Sequence, residues 1–353
     1  MATTFPYVLQ RAGVVMRPDP ADPLEAEGVL NPASARADDG RLYLFPRVVA
    51  TGNVSRIGRA RVVVEGGVPV GVERDGITLA PDRSWEQGIG HGGVEDARIT
   101  TIPALGVHVM TYVAFGPLGP RAAVVVSTDL TNWRRLGPVL FGYDDAHDVD
   151  LNLFHNKDTL FLPEPVTGPD GRPSLAVLHR PMWDVGQTAP GQGVRVPVGL
   201  PDDRESIWMS FVGLASVLDD VRALTLWSGH RFVAAPAFDW EVLKIGGGPP
   251  PVRVREGWLL VHHGVSGHLD ADPFAPQKNV VYSAGGMILD ADEPWRVVDR
   301  SSEPLLAPET TDERDGAVAN VVFPTAIEEI EGTRFLFYGM ADSAIGVARL
   351  VGC

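Results

Sequence analysis

A chain of 353 residues, 44% hydrophobic and 21% charged, is long enough to bury a sizeable core, as two ordinary domains or one large all-β domain. Its net charge of −15 and the lack of any Lys/Arg run exclude a nucleic-acid role, but a local cluster of cations can still hold a small anion. Cys353, the one cysteine, excludes an intrachain disulfide and a multi-Cys zinc site; no apolar stretch reaches membrane-spanning length and no secretion signal opens the chain, so a cytoplasmic protein is expected.

Residues 1–30 read as a lead-in, with turn chemistry at Pro18-Asp-Pro20 and Asp22-Pro23, and residues 31–353 as one domain. Asn31-Pro32 precedes the turn Asp38-Asp39-Gly40, which opens an alternating strand at Arg41–Arg47, followed by a second at Ile57–Val64. Gly88-Ile-Gly-His-Gly-Gly93 is a tight glycine-rich approach that delivers Glu95-Asp96 and Arg98 to the start of an apolar run. If that segment is extended, Arg98 points to the side of Asp96, as a structural ion pair or as the tuning partner of a catalytic acid. Further strands are expected at Val107–Phe115, Ala122–Ser127, Thr159–Leu162, Ser174–His179 and Ile207–Val212. Four more fall at Trp258–His263, Val280–Ala284, Arg334–Tyr338 and Ala344–Leu350. No long segment carries a 3.6-residue period, so the chain is read as all-β.

Two coarse repeats recur. Strands end in a polar or charged residue at Phe45-Pro-Arg47, Leu162-Pro-Glu164, Val261-His-His263 and Tyr338-Gly-Met-Ala-Asp342. An acidic residue shortly precedes Trp at Asp129–Trp133, Asp239-Trp240 and Asp290–Trp295. Radial repetition would bring such strand ends together on one axis, which favours a β-propeller over a sandwich or double barrel.

The chemistry-bearing patterns are few. No His-Glu-x-x-His is present, and Tyr143-Asp-Asp-Ala-His-Asp-Val-Asp150 lacks the Gly and final Glu of a calcium loop, so a solvated acidic loop is expected there. Gly88-x-Gly-x-Gly-Gly is not the dinucleotide spacing, and Gly246-Gly-Gly-Pro-Pro-Pro251 reads as a rigid elbow because proline has no N–H to offer a phosphate. What remains is a set of acids (Asp96, Glu164, Glu205, Asp342) and anion holders (Arg47, Arg56, Arg98, Lys157, Arg180, His263). Each alone is more often structural. Gathered on an axis, they suit a sugar and a small anion.

Six stretches carry a family resemblance: Gly93-Val-Glu-Asp-Ala-Arg-Ile-Thr100, Leu178-His-Arg-Pro181, Lys244-Ile-Gly-Gly-Gly-Pro-Pro-Pro251, Trp258-Leu-Leu-Val-His-His-Gly264, Val322-Phe-Pro-Thr325 and Tyr338-Gly-Met-Ala-Asp342. In that order they resemble glycoside hydrolase family 130, the β-mannoside phosphorylases and mannosidases. The resemblance implies a five-bladed β-propeller and inverting phosphorolysis that yields α-mannose 1-phosphate. It implies Asp96 as the acid, acting through a sugar hydroxyl, and Lys157, Arg180, His263 and Tyr282 as phosphate ligands. Asn31, Arg47, Arg56, Glu95 and Asp342 then hold the mannosyl unit. It further implies inorganic phosphate as co-substrate, no cofactor or metal, and a β-mannoside as partner, with no nucleic acid or membrane and a homo-oligomer left open. Ala97, His262 and Leu160-Phe-Leu-Pro-Glu-Pro165 depart from the family's usual residues.

Two other readings stand beside this one. An inverting β-mannosidase would use water, with Glu205 or Glu164 as base. A non-catalytic sugar-binding propeller would stack sugars on Trp208 and Trp258.

Overall fold

The computed structural model describes residues 5–88, 92–183, 197, 199–200, 202–268 and 279–352. Part of the glycine-rich approach (residues 89–91) and Cys353 lie outside them.

The strands fall into five mainly antiparallel groups; a short parallel contact of Val54-Ser55 with Gly92-Gly93 joins the first two into one eight-stranded sheet, and the third holds a parallel pair, Leu140-Phe141 with Leu226-Trp227. The first strand, β1 (Tyr7–Met16), stands apart in sequence from its sheet. Blade one is β2 (Gly28–Arg36), β3 (Leu42–Ala50), β4 (Val54–Glu65) and β5 (Val68–Leu79). Blade two is β6 (Gly92–Ile102), β7 (Val107–Gly116), β8 (Gly119–Ser127) and β9 (Arg134–Pro138). Blade three holds β10 (Leu140–Phe141), β11 (His155–Phe161), β12 (Val166–Thr167), β13 (Pro173–Met182), β14 (Ile207–Gly213) and β15 (Leu226–Ala234). Blade four holds β16 (Lys244–Gly247), β17 (Val252–Val254), β18 (Gly257–Gly267), β19 (Val280–Leu289) and β20 (Val297–Arg300). Blade five is β21 (Val322–Ile330), β22 (Thr333–Met340) and β23 (Ala344–Gly352).

The chain start completes the last blade, because β1 runs antiparallel to β23 from Tyr7↔Gly352 to Met16↔Ile345. Residues 7–16, read from sequence as lead-in, are therefore the outer strand of blade five. Arg11 fastens this joint. Its Nε and Nη2 both reach the buried Glu313 carboxylate at 2.9 Å, and the Tyr338 hydroxyl donates to the same carboxylate at 2.9 Å.

Among the described residues the apolar side chains form five cores, each between two neighbouring blades. Phe45, Ile57, Val94 and Met110 join blades one and two; Val109, Phe161, Val177 and Trp227 join two and three. Leu160, Met209, Trp258 and Met287 join blades three and four; Leu259, Ile288, Val322 and Leu336 join four and five. Val29, Leu44, Phe337 and Val347 join five back to one, which closes the ring. Five blades with five inter-blade cores make a five-bladed β-propeller, in which radial closure replaces exposed sheet faces with packed ones.

The inner strands β2, β6, β11, β16 and β21 are almost wholly buried. Three of them bulge at the same point. Pairing slips between Leu30 and Ala33, between Glu95 and Arg98, and between Lys157 and Leu160. The residues in these slips, Asn31, Asp96 and Asp158, take positive φ of 42°, 47° and 55°. Asn and Asp are the non-glycine residues that best tolerate that conformation, and a bulge re-aims a side chain out of the sheet. Asn31-Pro32, expected to lie outside the strands, is a bulge inside β2, where the proline's missing N–H is no loss.

The acid-before-Trp repeat has partial structural meaning. Asp129 accepts from the amides of Thr131 and Asn132, and Asp290 from those of Asp292 and Glu293, so both cap the turn before a blade's fourth strand. Asp239-Trp240 instead precedes an inner strand. The strand-end repeat is likewise mixed: Leu162-Pro-Glu164 follows an inner strand, Tyr338–Asp342 runs out of the end of β22, and Arg47 and His263 lie inside β3 and β18.

Candidate active site

The three bulges lie near the starts of their inner strands, where a carboxylate group and a cation group meet. In the first group, the Asn31 amide donates to Asp96 Oδ1 at 2.9 Å. Arg47, from the second strand of blade one, spans both acids: Nη2 lies 2.9 Å from Glu95 Oε1 and Nη1 3.4 Å from Asp96 Oδ1. Its Nε is fixed by Ser55 Oγ at 2.8 Å. Lys157 Nζ reaches Glu95 Oε2 at 3.7 Å and lies 5.8 Å from the centre of the Phe115 ring.

The cation beside Asp96 is thus Arg47, from another blade. Arg98, only 1% exposed, donates through Nη1 to the backbone carbonyls of Asp96 and Ala97 at 3.0 and 3.2 Å, and through Nε to that of Gly248 at 2.6 Å. The αL bulge at Asp96 breaks the period of two on which a same-side placement depends. Arg98 therefore ties blade two to blade four, with its guanidinium 5.6 Å from the Phe323 ring.

The second group centres on Asp158. Arg180 Nε donates to Asp158 Oδ2 at 2.6 Å, and His263 Nε2 lies 3.6 Å from the same oxygen. The other side of the Arg180 guanidinium contacts the Glu205 carboxylate. His263 lies 4.4 Å from Phe323 and 6.0 Å from Tyr282 between ring centres. Gly246 makes this possible: a Cβ there would lie 2.2 Å from Asp158 Oδ2 and 2.5 Å from His263 Cε1. Gly246-Gly247, read as part of an elbow, is the end of the inner strand of blade four. The neighbouring His262 is wholly buried and paired through Nε2 with Glu241 at 2.7 Å; Glu241 also accepts from Arg300 at 2.6 Å.

Arg180, His263 and Tyr282 therefore lie together. Lys157, on the residue before Asp158, turns instead to Glu95 and links the two groups. Asn31, Arg47, Glu95 and Asp96 form one network. Arg56 stands on β4 next to Ser55, so it faces the other side of the sheet, and its guanidinium reaches the Val54 carbonyl at 3.5 Å. Asp342 has φ of 50° at the tip of the β22–β23 turn. Glu164 follows the far end of β11, seven residues beyond Lys157 and roughly 20 Å along the chain, which removes it as the base of a water-using site. Trp208 and Trp258 are 0% and 1% exposed, so neither offers a face to a sugar. Asp144, in the acidic run, pairs with His147 Nδ1 at 2.6 Å.

Asp158 was not singled out from sequence. Its signal is the likeness of Lys157-Asp-Thr159 to Glu95-Asp-Ala97 and Leu30-Asn-Pro32, which becomes visible once the inner strands are superposed.

The electrostatics separate the acids. Burial works to raise the Asp96 carboxyl, but Arg47, Lys157, Arg98 and the Asn31 hydrogen bond outweigh it and hold the group below the usual carboxylate range. Burial likewise opposes ionisation of Asp158, and Arg180, His263 and Arg98 overcome it. Asp342 goes the other way. Burial, aided by the charges of Asp96 and Glu95, pushes it up to about 6 against the pull of Arg47 and Lys157. Burial depresses His263 to about 3, so it is a neutral imidazole at neutral pH.

Two of the three inner bulges thus aim a carboxylate, Asp96 or Asp158, at cations from neighbouring strands of the propeller. A family model described as beta-1,4-mannooligosaccharide phosphorylase, of glycoside hydrolase family 130, matches residues 200–351. The 1,2-beta-oligomannan phosphorylase of Thermoanaerobacter sp. (strain X514) is 29% identical over 95% of this chain and 94% of its own. The Beta-1,2-mannobiose phosphorylase of the same organism is 32% identical over 76% of this chain and 68% of its own. The solved Beta-1,2-Mannobiose phosphorylase from Listeria innocua superposes with a TM-score of 0.70 at 20% identity, covering 98% and 96% of the two chains. The chain belongs to glycoside hydrolase family 130.

Proposed function

We propose that this protein is an inverting β-mannoside phosphorylase. The observation that carries the reading is the meeting of Arg180 and His263 at Asp158, with Tyr282 beside His263, joined to the Asp96 group through Lys157 and Glu95. Asn31, Arg47, Glu95 and Asp342 hold the mannosyl unit beside Asp96. Arg180 and the single donors His263 and Tyr282 take phosphate oxygens, with Lys157 supplying a point charge from the sugar side.

A phosphate oxygen attacks the anomeric carbon on the face opposite the leaving oxygen. As the glycosidic C–O bond breaks, the leaving oxygen takes a proton that Asp96 supplies through a hydroxyl of the bound sugar. The products are α-mannose 1-phosphate and a shortened acceptor. The low pKa of Asp96 suits this sequence of events. The carboxyl is ionised in the empty site, and an arriving phosphate dianion, sharing the same cations, raises its proton affinity. The acid is then loaded when both substrates are present.

One observation favours a second reading. Glu205 already rests on Arg180, where a phosphate oxygen is expected, and a carboxylate there could instead activate water as in an inverting mannosidase. Incubation with β-1,2- and β-1,4-mannobiose, with and without phosphate, separates the two. Phosphate-dependent release of α-mannose 1-phosphate is the expected result; equal cleavage to free mannose without phosphate would transfer the assignment to the hydrolase.

A further inference from the structure

Blades three and four part around a cavity of about 590 Å³, a size that accepts a small-molecule ligand. It lies at the other end of the ring from Asp96. Trp258, on its wall, stands five residues before His263 on β18, and Glu164 follows the far end of β11. At about 3.3 Å per residue, Trp258 is roughly 16 Å along its strand from the anion cluster.

The lining is chemically mixed. Glu164 and Asp292 are exposed acids whose carboxylates make no hydrogen bond or ion pair among the described residues. Trp258 is 1% exposed and forms the floor of the wall rather than an open face, and its buried Nε1–H has no acceptor among the described residues. Trp295 is half-buried and held by an edge contact to Phe211 at 5.6 Å. Arg253 lies 4.7 Å from the Trp258 ring centre, anchored by one hydrogen bond to the Ala291 carbonyl at 3.1 Å, with other donors left over.

We propose that this cavity is a second carbohydrate-binding site, taking one or two pyranose units of an oligosaccharide remote from the reacting end. The carboxylates of Glu164 and Asp292 and the spare N–H donors of Arg253 line one cavity and call for a ligand whose groups both donate and accept, which hydroxyls do. Trp295 provides an aromatic surface for the C–H face of a pyranose. An anion would be repelled by Glu164 and Asp292, and a simple cation would meet Arg253. The choice of β-mannosides as the sugar rests on the function proposed above; the site itself does not.

The experiment is calorimetry with β-linked mannotetraose on the Asp96→Asn protein, which prevents turnover. Binding is compared with and without Trp295→Ala, and separately with Glu164→Gln plus Asp292→Asn, whose exposed positions leave folding unaffected. A binding event lost or weakened at least tenfold in both variants is expected. In otherwise wild-type protein, Trp295→Ala should leave mannobiose turnover within about twofold while lowering turnover of longer chains. Binding that neither variant alters would overturn the proposal. If the enzyme cleaves no mannoside but another oligosaccharide binds in a Trp295-dependent manner, the function above fails and this site stands.

Discussion

Asn31 and Asp96 meet across the first two blades, each in the left-handed conformation, with the amide of one donating to the carboxylate of the other at 2.9 Å. The contact joins two bulges at equivalent points of neighbouring inner strands. Gly339 makes room for it, since a Cβ there would lie 2.1 Å from Asn31 Oδ1. The acid is therefore positioned by backbone shape in three blades at once, and its chemistry can be tested without disturbing the fold.

Asp96→Asn removes the proton source and keeps the shape. Turnover of unactivated mannosides should fall by about three orders of magnitude or more, with the melting temperature little changed. Steady-state kinetics on mannobiose beside a thermal melt checks this. A folded variant with near-normal turnover would refute the role.

Arg180→Ala should act on phosphate and on stability together. The apparent phosphate requirement should rise far more than the KM for mannoside. Asp158 would also be left as a buried charge without its main partner, at a cost of about 3 kcal/mol. The double variant Arg180→Ala/Asp158→Asn should recover much of the stability and none of the phosphate affinity, as denaturant unfolding and phosphate saturation curves would show.

Gly246→Ala places a methyl group where Asp158 and His263 now sit. The two side chains must separate, so phosphate affinity should fall at least tenfold while mannose binding changes little. Phosphate titration against wild type is the measurement, and unchanged affinity would mean that the Asp158–His263 contact is dispensable.

Asp342 gives a pH signature. Its folded-state pKa is raised from 3.8 to about 6, so the folded chain binds the extra proton. This contribution to stability is complete below about pH 4 and is lost as pH rises through 6. Asp342→Asn, which cannot ionise, should therefore gain stability over wild type as pH is raised from 4 to 7. Melting temperatures of both proteins across that range should diverge in that direction; parallel curves would show that Asp342 ionises freely.

The sequence by itself determined the strand-rich architecture. Short alternating runs such as Val107–Phe115 and Trp258–His263, separated by Gly and Pro, admit little else, and β7 and β18 extend those runs by only one to five residues. Six ordered stretches were enough to indicate the family, and Glu95-Asp96 stood out because a glycine-rich approach led into it. Inner strands β2 and β21 were harder to read. Asn31-Pro32 looks like a turn although it is buried, and in β21 Pro324 is buried while Glu328-Glu329, less buried, breaks the apolar pattern. Only the tertiary structure decided the partners. Arg98, two residues from Asp96, binds backbone carbonyls, while Arg47, forty-nine residues away, holds the carboxylates. Asp158 gained its place only when Gly246, from another blade, left room beside it. The physical reason is that periodicity reports which face of a strand is buried, whereas a bulge turns one side chain out of that period toward whatever the ring closure brings opposite.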